Sequence, residues 1–357
     1  MENLRTSGKK LFSADEMPNW IPLNNHGKYG LMDTMSSIIA KIERMEGNFL
    51  PDLRTDPNLA MASDYSGEHK KAKFHVLSYL LADRPGILQR WDHERRVIRQ
   101  KFLQDGRRIA FKSLGDGKKQ KALGPFLSSA CSINGVLFCI AIEKTIKSLT
   151  YNGLPTAANI SEWSNLPWSP KVFEKLMRIL NFGTFLVSGL CRIGQNLVWI
   201  TDEDEIVPNE SFQEDACRIA SRWLHHYHMQ EMGDLTLGVA GKFEDERRAE
   251  DLVSIVDLAG GALSELFSTV SIEDIPESPK VVVPMKGRIS TKSQLIMTWL
   301  CEKKRPLKKM IWVVRSIESG GVRFSFLNLQ NLTSLIGGHL SLWLPPDKGW
   351  KKSSGFW

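Results

Sequence analysis

Residues 58–83, "NLAMASDYSGEHKKAKFHVLSYLLAD", contain two runs of apolar and small residues separated by a polar segment with a glycine. This composition predicts two strands, at 59–64 and 73–82, joined by a turn. Asp64 stands at the end of the first strand. An aspartate at a strand tip is either a turn residue or a carboxylate that the sheet holds in position. The stretch therefore predicts a hairpin and, with it, a candidate functional residue.

Periodicity and chain breakers predict further elements on both sides of this hairpin. The run "GVLFCIAIEK" (135–144) is continuously apolar until its end, which is typical of a central strand covered on both faces. The order of elements predicts an α/β fold with a mixed sheet, an antiparallel first portion and flanking helices. The predicted elements are helices at 30–47, 85–102 and 119–132, a short strand at 107–114, a helix opened by "SPKVFEKLMRIL" followed by a separate apolar stretch, strands at 195–204 and 234–241, helices at 210–233 and 250–270, and a C-terminal helix and hairpin.

Breaks in composition divide the chain into three parts. Residues 1–58 form a predicted N-terminal helical arm and linker, ending in the Pro- and Asp-rich "FLPDLRTDPN". Residues 59–275 form the α/β domain. The segment "IEDIPESPK" (272–280) marks a boundary, and residues 276–357 read as a C-terminal appendage with a hairpin turn at Ser319, Gly320 and Gly321.

Composition restricts the class of protein. The 357 residues, 42% of them hydrophobic, can bury a large core. No apolar run reaches the roughly 20 residues of a membrane helix, and the N-terminus lacks the apolar core of a secretory signal, so we expect a cytoplasmic protein without a membrane partner. Five scattered cysteines in apolar surroundings predict buried thiols rather than disulfides or a zinc site.

The net charge of +7 suggests a polyanionic partner. Basic residues cluster in three stretches, which would follow a phosphate backbone if they share one side of the protein and would otherwise be ordinary solvated faces. The residues that we predict to bind nucleic acid are Arg107, Arg108, Lys118, Lys119, Lys303, Lys304 and Arg305.

Four acidic positions stand at the ends of predicted strands or in an apolar helix. Asp64 ends the first strand, Glu143 ends the apolar strand, and Asp202 lies in "LVWITDED". Asp257 lies in "LVSIVDLAGGAL", where it cannot avoid an apolar helix face. A buried carboxylate without a partner costs several kcal/mol, on the order of the desolvation penalty of an ion, so a shared cation would explain all four together.

The order of these segments resembles the RNase H-like superfamily, in particular its RuvC-like branch. Within it, the sequence is most similar to an uncharacterised bacterial family with an Asp-Glu-Ser-Gly opening motif and a Leu-Ala-Asp-Leu helix near the end. The matching segments are "SDYSGEH" (63–69), "FCIAIEK" (138–144) and "IVDLAGGAL" (255–263), within residues 59–270. The resemblance departs at Tyr65, where the family usually has glutamate, and at Glu143, where aspartate is common.

The resemblance implies a nuclease that uses two Mg²⁺ (or Mn²⁺) ions for phosphodiester hydrolysis. By matched position, Asp64 would bridge the metals, and Glu143 and Asp257 would be further ligands. Asp202 would assist, although Glu203 and Asp204 compete for that role, and Glu68 would replace the glutamate missing at Tyr65. The resemblance also implies an effector in bacterial phage defence or a mobile element, with nucleic acid and a partner protein in a multicomponent system.

Two other function classes remain open at this stage. One is a nucleic-acid or protein binding module that has the same fold and a degraded metal site. The other is a metal-dependent glycosyl- or nucleotidyltransferase built on the Asp-x-Asp of Asp202 and Asp204. The histidines at 225, 226 and 228 lack a metal-binding motif and are expected to be ordinary surface residues, whereas His69 follows the candidate metal turn.

Overall fold

Helices cover both faces of one mixed β-sheet in the computed structural model of this chain. The helices are α1 (Leu31–Glu46), α2 (Asp92–Phe102), α3 (Gly117–Ala130), α4 (Pro170–Leu190), α5 (Glu210–His228), α6 (Arg248–Thr269) and α7 (Thr291–Leu300). The strands are β1 (Asn58–Ser66), β2 (Phe74–Asp83), β3 (Gly135–Glu143), β4 (Asn196–Thr201), β5 (Leu235–Val239), β6 (Lys280–Pro284), β7 (Leu307–Ile317), β8 (Gly321–Asn331) and β9 (His339–Trp343). The structure describes residues 18–23, 30–47, 49–147, 168–202, 206–228, 232–243, 247–269, 280–284, 289–303, 305–317, 321–331 and 339–343.

The strand order is β5-β4-β1-β2-β3-β7-β8-β9-β6. Strands β1, β2 and β3 pair antiparallel in succession. On the other side of β1, strands β4 and β5 run parallel to it. Strand β7 pairs parallel with β3 and begins the C-terminal part of the sheet. The predicted α/β class with an antiparallel first portion is confirmed.

Alternating side chains along the strands supply two separate cores. On one face of β2, Val76 and Leu80 pack with α2, α3, α6 and α7. On the other face, Leu77 and Tyr79 pack with α1, α4 and α5. Strand β3 is buried along almost its whole length, because helices cover it on both faces. The alternation places neighbouring residues of one strand in different environments.

Three local predictions are corrected. The predicted strand at 107–114 is an extended segment followed by a 3-10 turn (Phe111–Ser113), because it lies against α6 instead of pairing with the sheet. The apolar stretch after "SPKVFEKLMRIL" continues that helix, so α4 is one element of 21 residues. The C-terminal helix and hairpin, predicted as an appendage, extend the same sheet through the β3–β7 pair, and α7 packs on α6.

Helix α6 is long and apolar enough to cross a membrane by composition alone. Most of it is buried within the protein, where it packs against β1 and β2. This is the position of a core helix, and its apolar character follows from the contacts it makes with the sheet.

Candidate acidic site

Asp64 lies near the carboxyl end of β1, on the face that α6 covers. Its side chain is on the same face as Ala62, whereas Tyr65 points to the opposite face. In the sheet, Asp64 lies opposite Ser78 of β2. The residue is 8% exposed, so the sheet and the helix hold a carboxylate in a nearly dry environment.

Asp257 comes from α6 and is anchored by the chain between β2 and β3. Its carboxylate accepts a hydrogen bond of 2.6 Å from the backbone N–H of Phe111. Two glycines explain why the helix can come so close. A Cβ at Gly260 would lie 2.9 Å from Ser78 Oγ, and a Cβ at Gly261 would lie 2.3 Å from the ring of Phe111. The "DLAGG" sequence thus lets α6 pack tightly over the sheet beside its aspartate.

Asp202 follows β4, the strand that pairs with β1. Register places Thr201 beside Ser63, so Asp202 emerges next to Asp64 at the carboxyl end of the sheet. Its carboxylate accepts a bond of 2.7 Å from Arg108, which lies in the segment between β2 and β3. The Nε of Arg108 is buried and makes no hydrogen bond within the described residues.

The three aspartates act on one another electrostatically. Burial raises the pKa of Asp64 well above its ordinary value, and the charges of Asp257 and Asp202 raise it further. Burial also raises the pKa of Asp257, against the opposing effects of the Phe111 N–H and of Arg108. Burial lowers the pKa of Arg108, but the hydrogen bond with Asp202 and the charges of Asp202, Asp257 and Asp64 outweigh it and raise the pKa. The group therefore carries excess negative charge that one guanidinium partly balances.

The donor chemistry of this group suits Mg²⁺ or Mn²⁺, since hard cations prefer carboxylate oxygens. However, within the described ranges of the chain, no group of three or more His, Cys, Asp or Glu side chains is close enough together to hold a metal ion. In the arrangement observed, Arg108 supplies the positive charge at Asp202. A bound cation would require Asp64, Asp202 and Asp257 to converge further and the Arg108–Asp202 pair to loosen.

Two other predicted ligands lie elsewhere. Cys139 of β3 lies level with Asp64, two strands away across the sheet. Glu143 pairs with Phe74 and lies four residues beyond Cys139 along β3. At about 3.3 Å per residue, Glu143 is therefore ~13 Å further along the sheet than Asp64. Its carboxylate accepts hydrogen bonds of 2.8 and 3.0 Å from the backbone N–H and hydroxyl of Ser316. The structure does not bring Glu143 to the aspartates, because strand β3 runs past their level.

Glu68 also belongs to another environment. It pairs with Lys175 of α4 at 2.5 Å. Burial opposes ionisation of Glu68, but Lys175 outweighs it, and the pKa of Glu68 lies below its ordinary value. Tyr65, at the position where the resemblance led us to expect glutamate, forms a hydrogen bond of 3.0 Å with Thr201 Oγ1 on the face away from Asp64. A glutamate at position 65 would therefore lie on the face of the sheet opposite to Asp64.

The residues predicted to bind nucleic acid separate into groups. Arg108 joins the acidic site, and the side chain of Lys119 is mostly buried against Ser113. Arg107 and Lys118 are exposed and form ion pairs with Asp105. Lys303 and Arg305 precede β7, at the end of the sheet opposite to Asp202, since β7 starts beside the amino end of β3. Lys304 lies outside the described residues, as do Glu203 and Asp204.

The histidines are placed as follows. His225 and His226 are exposed on α5, where the ring of His226 lies 5.8 Å from that of Trp223. The side chain of His228 lies outside the described residues. His69 is exposed after β1, and its backbone carbonyl accepts a bond from Lys144.

Sequence reasoning missed Phe111, Lys112 and Lys292 as neighbours of the site. Lys292 of α7 donates to the Phe111 carbonyl at 2.8 Å, with its ammonium 4.0 Å from the centre of the Phe111 ring. Lys112 lowers the pKa of Asp257 by its charge. The Gly260–Gly261 pair could have indicated the turn at Phe111, because two small residues in a helix allow another segment to approach α6 beside Asp257.

Comparison of the sequence with known protein families and with curated proteins gives no match.

Proposed function

We propose that this chain is a metal-dependent nuclease with an RNase H-like core. The strand order β5-β4-β1-β2-β3 supports the fold, with its antiparallel β1-β2-β3 portion and parallel β4 and β5. The hairpin, third strand, acidic end of β4 and late helix with an aspartate occur in the order on which the resemblance rests.

The observation that carries the proposal is the proximity of Asp64, Asp202 and Asp257, which come from three separate elements: the charges of Asp257 and Asp202 raise the pKa of Asp64, and the charge of Asp202 raises that of Asp257. These residues would hold Mg²⁺ or Mn²⁺, which would activate the attacking water and stabilise the leaving oxygen of a phosphodiester. Glu143 and Glu68 are not needed in this proposal, since their carboxylates pair with other partners.

Positive groups beside the aspartates support a phosphate-containing substrate. Arg108 pairs with Asp202, Lys112 acts on Asp257, and Lys292 lies on the Phe111 turn. A guanidinium that balances carboxylates can bind a phosphate oxygen once a metal ion takes over that balance. Arg108 would then have two roles, in the resting site and in substrate binding.

The test compares the wild type with Asp64→Asn, Asp257→Asn and the control Glu143→Gln on single-stranded DNA, double-stranded DNA and RNA, in Mg²⁺, Mn²⁺ and EDTA. We expect metal-dependent cleavage that falls about 100-fold or more in both Asn variants, because each removes a charged metal ligand. Glu143→Gln is expected to cleave within about threefold of the wild type. Equal cleavage by wild type and Asp64→Asn would refute the proposal.

One observation favours a second candidate, the binding module with a degraded site. Arg108 already pairs with Asp202, and the described carboxylates do not form a ready metal group. This candidate predicts that the wild type and both Asn variants bind nucleic acid equally and that none of them cleaves it. A titration with Mn²⁺ separates the two, since the nuclease requires a bound ion that Asp64→Asn loses.

A further inference from the structure

A cavity of about 530 Å³ lies on the face of the sheet opposite to Asp64. Its floor is apolar and includes Leu77, Ile142 and Ile146. Tyr65 lines one side, and α4 lines another through Lys175 and Arg178. This volume is within the range of about 300–1,000 Å³ that small-molecule sites have. The cavity is therefore large enough for a ligand of nucleotide size.

Charged side chains around this floor are predominantly positive. Two carboxylates are present, and each has a cationic partner: Glu68 pairs with Lys175 at 2.5 Å, and Glu174 pairs with Arg178 at 2.8 Å. Three further lysines line the same cavity, so positive charges exceed negative ones by three. These lysines are Lys144, Lys147 and Lys171.

The pKa of His75 reflects the burial and the charges inside the cavity. It lies on β2 and lines the cavity. Burial lowers its pKa to about 4, and the charges of Lys144, Arg178 and Lys175 act in the same direction, against the opposing charge of Glu68. Burial disfavours any charge at this position, but the charges of Lys144, Arg178 and Lys175 also favour an anion in the same space.

We propose that this cavity binds a phosphorylated small molecule of nucleotide size. Its phosphate would contact Lys144, Lys147 and Lys171, and its uncharged part would lie on Leu77 and Ile142 beside the Tyr65 ring. Phosphate oxygens accept charge-assisted hydrogen bonds from ammonium groups, and the apolar floor gains from covering a ring.

The shape of the site favours a small molecule over a nucleic-acid strand. A strand is held by cations spaced along an open groove, whereas these lysines line one cavity together with the apolar residues. The proposal does not depend on nuclease activity, because Asp64 and Tyr65 point to opposite faces of β1.

The first experiment is calorimetric titration of the full chain with ATP, AMP, inorganic phosphate and adenosine. We expect ATP and AMP to bind, and adenosine to bind about tenfold or more weakly because it lacks the phosphate. The variant K147A/K171A should weaken AMP binding at least about tenfold. The control K41A/K121A changes two exposed lysines elsewhere, removes the same total charge and should bind as the wild type does.

A second measurement follows His75 by NMR, with His75→Gln to assign its signal. AMP should raise the pKa of His75 from about 4, since it brings negative charge near the ring. Asp64→Asn should bind AMP unchanged, which separates this proposal from the nuclease proposal.

Three results would overturn the proposal: no binding of AMP or ATP at millimolar concentration by folded wild type, equal weakening in both double-lysine variants, or binding of an oligonucleotide alone that K147A/K171A weakens. The last result would assign the cavity to a nucleic-acid surface. Thermal unfolding of each variant shows whether a loss of binding reflects loss of the fold.

Discussion

Asp251 and Asp257, fewer than two turns apart on helix α6, belong to two acidic groups that are built in contrasting ways. Asp251 is fully buried and accepts two hydrogen bonds of 2.6 Å from Arg99 and one of 3.0 Å from Arg95. The neighbouring Asp92 pairs with Arg95, Arg96 and Arg248. Further along α6, Asp257 belongs to the second group, in which Asp257, Asp64 and Asp202 all interact with the charge of Arg108. In the first group, which we call balanced, each carboxylate pairs with two or more guanidinium groups, whereas in the second, unbalanced group three carboxylates act on one guanidinium.

The charge balance of each group appears in the pKa of its members. Burial of Asp92 opposes its ionisation, but Arg248 and Arg95 outweigh the burial and lower its pKa. For Asp64, burial and two neighbouring carboxylates all raise the pKa. A balanced buried network can hold α2 against α6, whereas an unbalanced one costs stability and is typical of sites that bind a cation or a substrate. The contrast separates a structural cluster from the candidate functional site, and both include residues of the same helix.

The largest expected effect breaks the balanced group. Asp251→Asn removes the carboxylate that pairs with Arg99 and one of the two that pair with Arg95, and should lower the free energy of unfolding by about 3–5 kcal/mol. Urea denaturation measures the change. The control Asp215→Asn, which breaks a partly exposed pair with Arg218, should cost about 1 kcal/mol or less. If both variants lose the same stability, the Asp251 network does not hold the helices together.

An intermediate effect tests the close packing around the unbalanced group. Gly261→Ala would bring a methyl group 2.3 Å from the Phe111 ring and should cost about 1–3 kcal/mol. It should also displace the turn that donates to Asp257. The matched change Gly117→Ala, at the first residue of α3 where a Cβ meets nothing within 4 Å, should stabilise the protein by about 0.4–1 kcal/mol. Thermal unfolding of both variants checks the prediction, and a tolerated Gly261→Ala would contradict the packing argument.

The smallest expected effect has the opposite sign. Asp64→Asn removes a buried charge and should raise the free energy of unfolding at neutral pH, on the order of 1 kcal/mol. The pKa of Asp64 is raised in the folded state, so its penalty is absent below the ordinary value of 3.8 and grows as the pH rises. The gain should therefore shrink as the pH falls towards 4. Denaturant titrations at several pH values measure it, and a loss of stability at neutral pH would show that Asp64 is a structural residue.

The sequence was sufficient to predict strands β1 to β5, β7 and β8 because the signals there were local, whereas β6 and β9 were not predicted. The hairpin of β1 and β2, the apolar β3 and the long helix with Asp257 follow from periodicity and burial. The segment at 107–114 was misread as a strand, since alternation alone does not reveal whether a partner strand exists. Its true partner is α6, which is 146 residues away at the Phe111–Asp257 bond.

The candidate site was partly predictable. Asp64, Asp202 and Asp257 were identified from strand ends and from a carboxylate in an apolar helix. The structure places them near enough for the charges of Asp202 and Asp257 to raise the pKa of Asp64, but within the described residues they do not form a group that could hold a metal ion. Glu143 was misplaced because a sequence does not reveal how far a strand runs past its neighbours. Arg108 was expected to face nucleic acid, and its contact with Asp202 depends on a pairing across 94 residues.

The parallel pairing of β3 with β7 has a practical consequence for work with fragments. A chain ending near residue 275, where the composition suggests a boundary, would lack β7 and leave one edge of the buried strand β3 without its partner. An exposed, flat, apolar edge is a template for pairing with other chains. Such a fragment is expected to aggregate even if its own elements form, because β7 covers the edge of β3 that would otherwise pair with other chains.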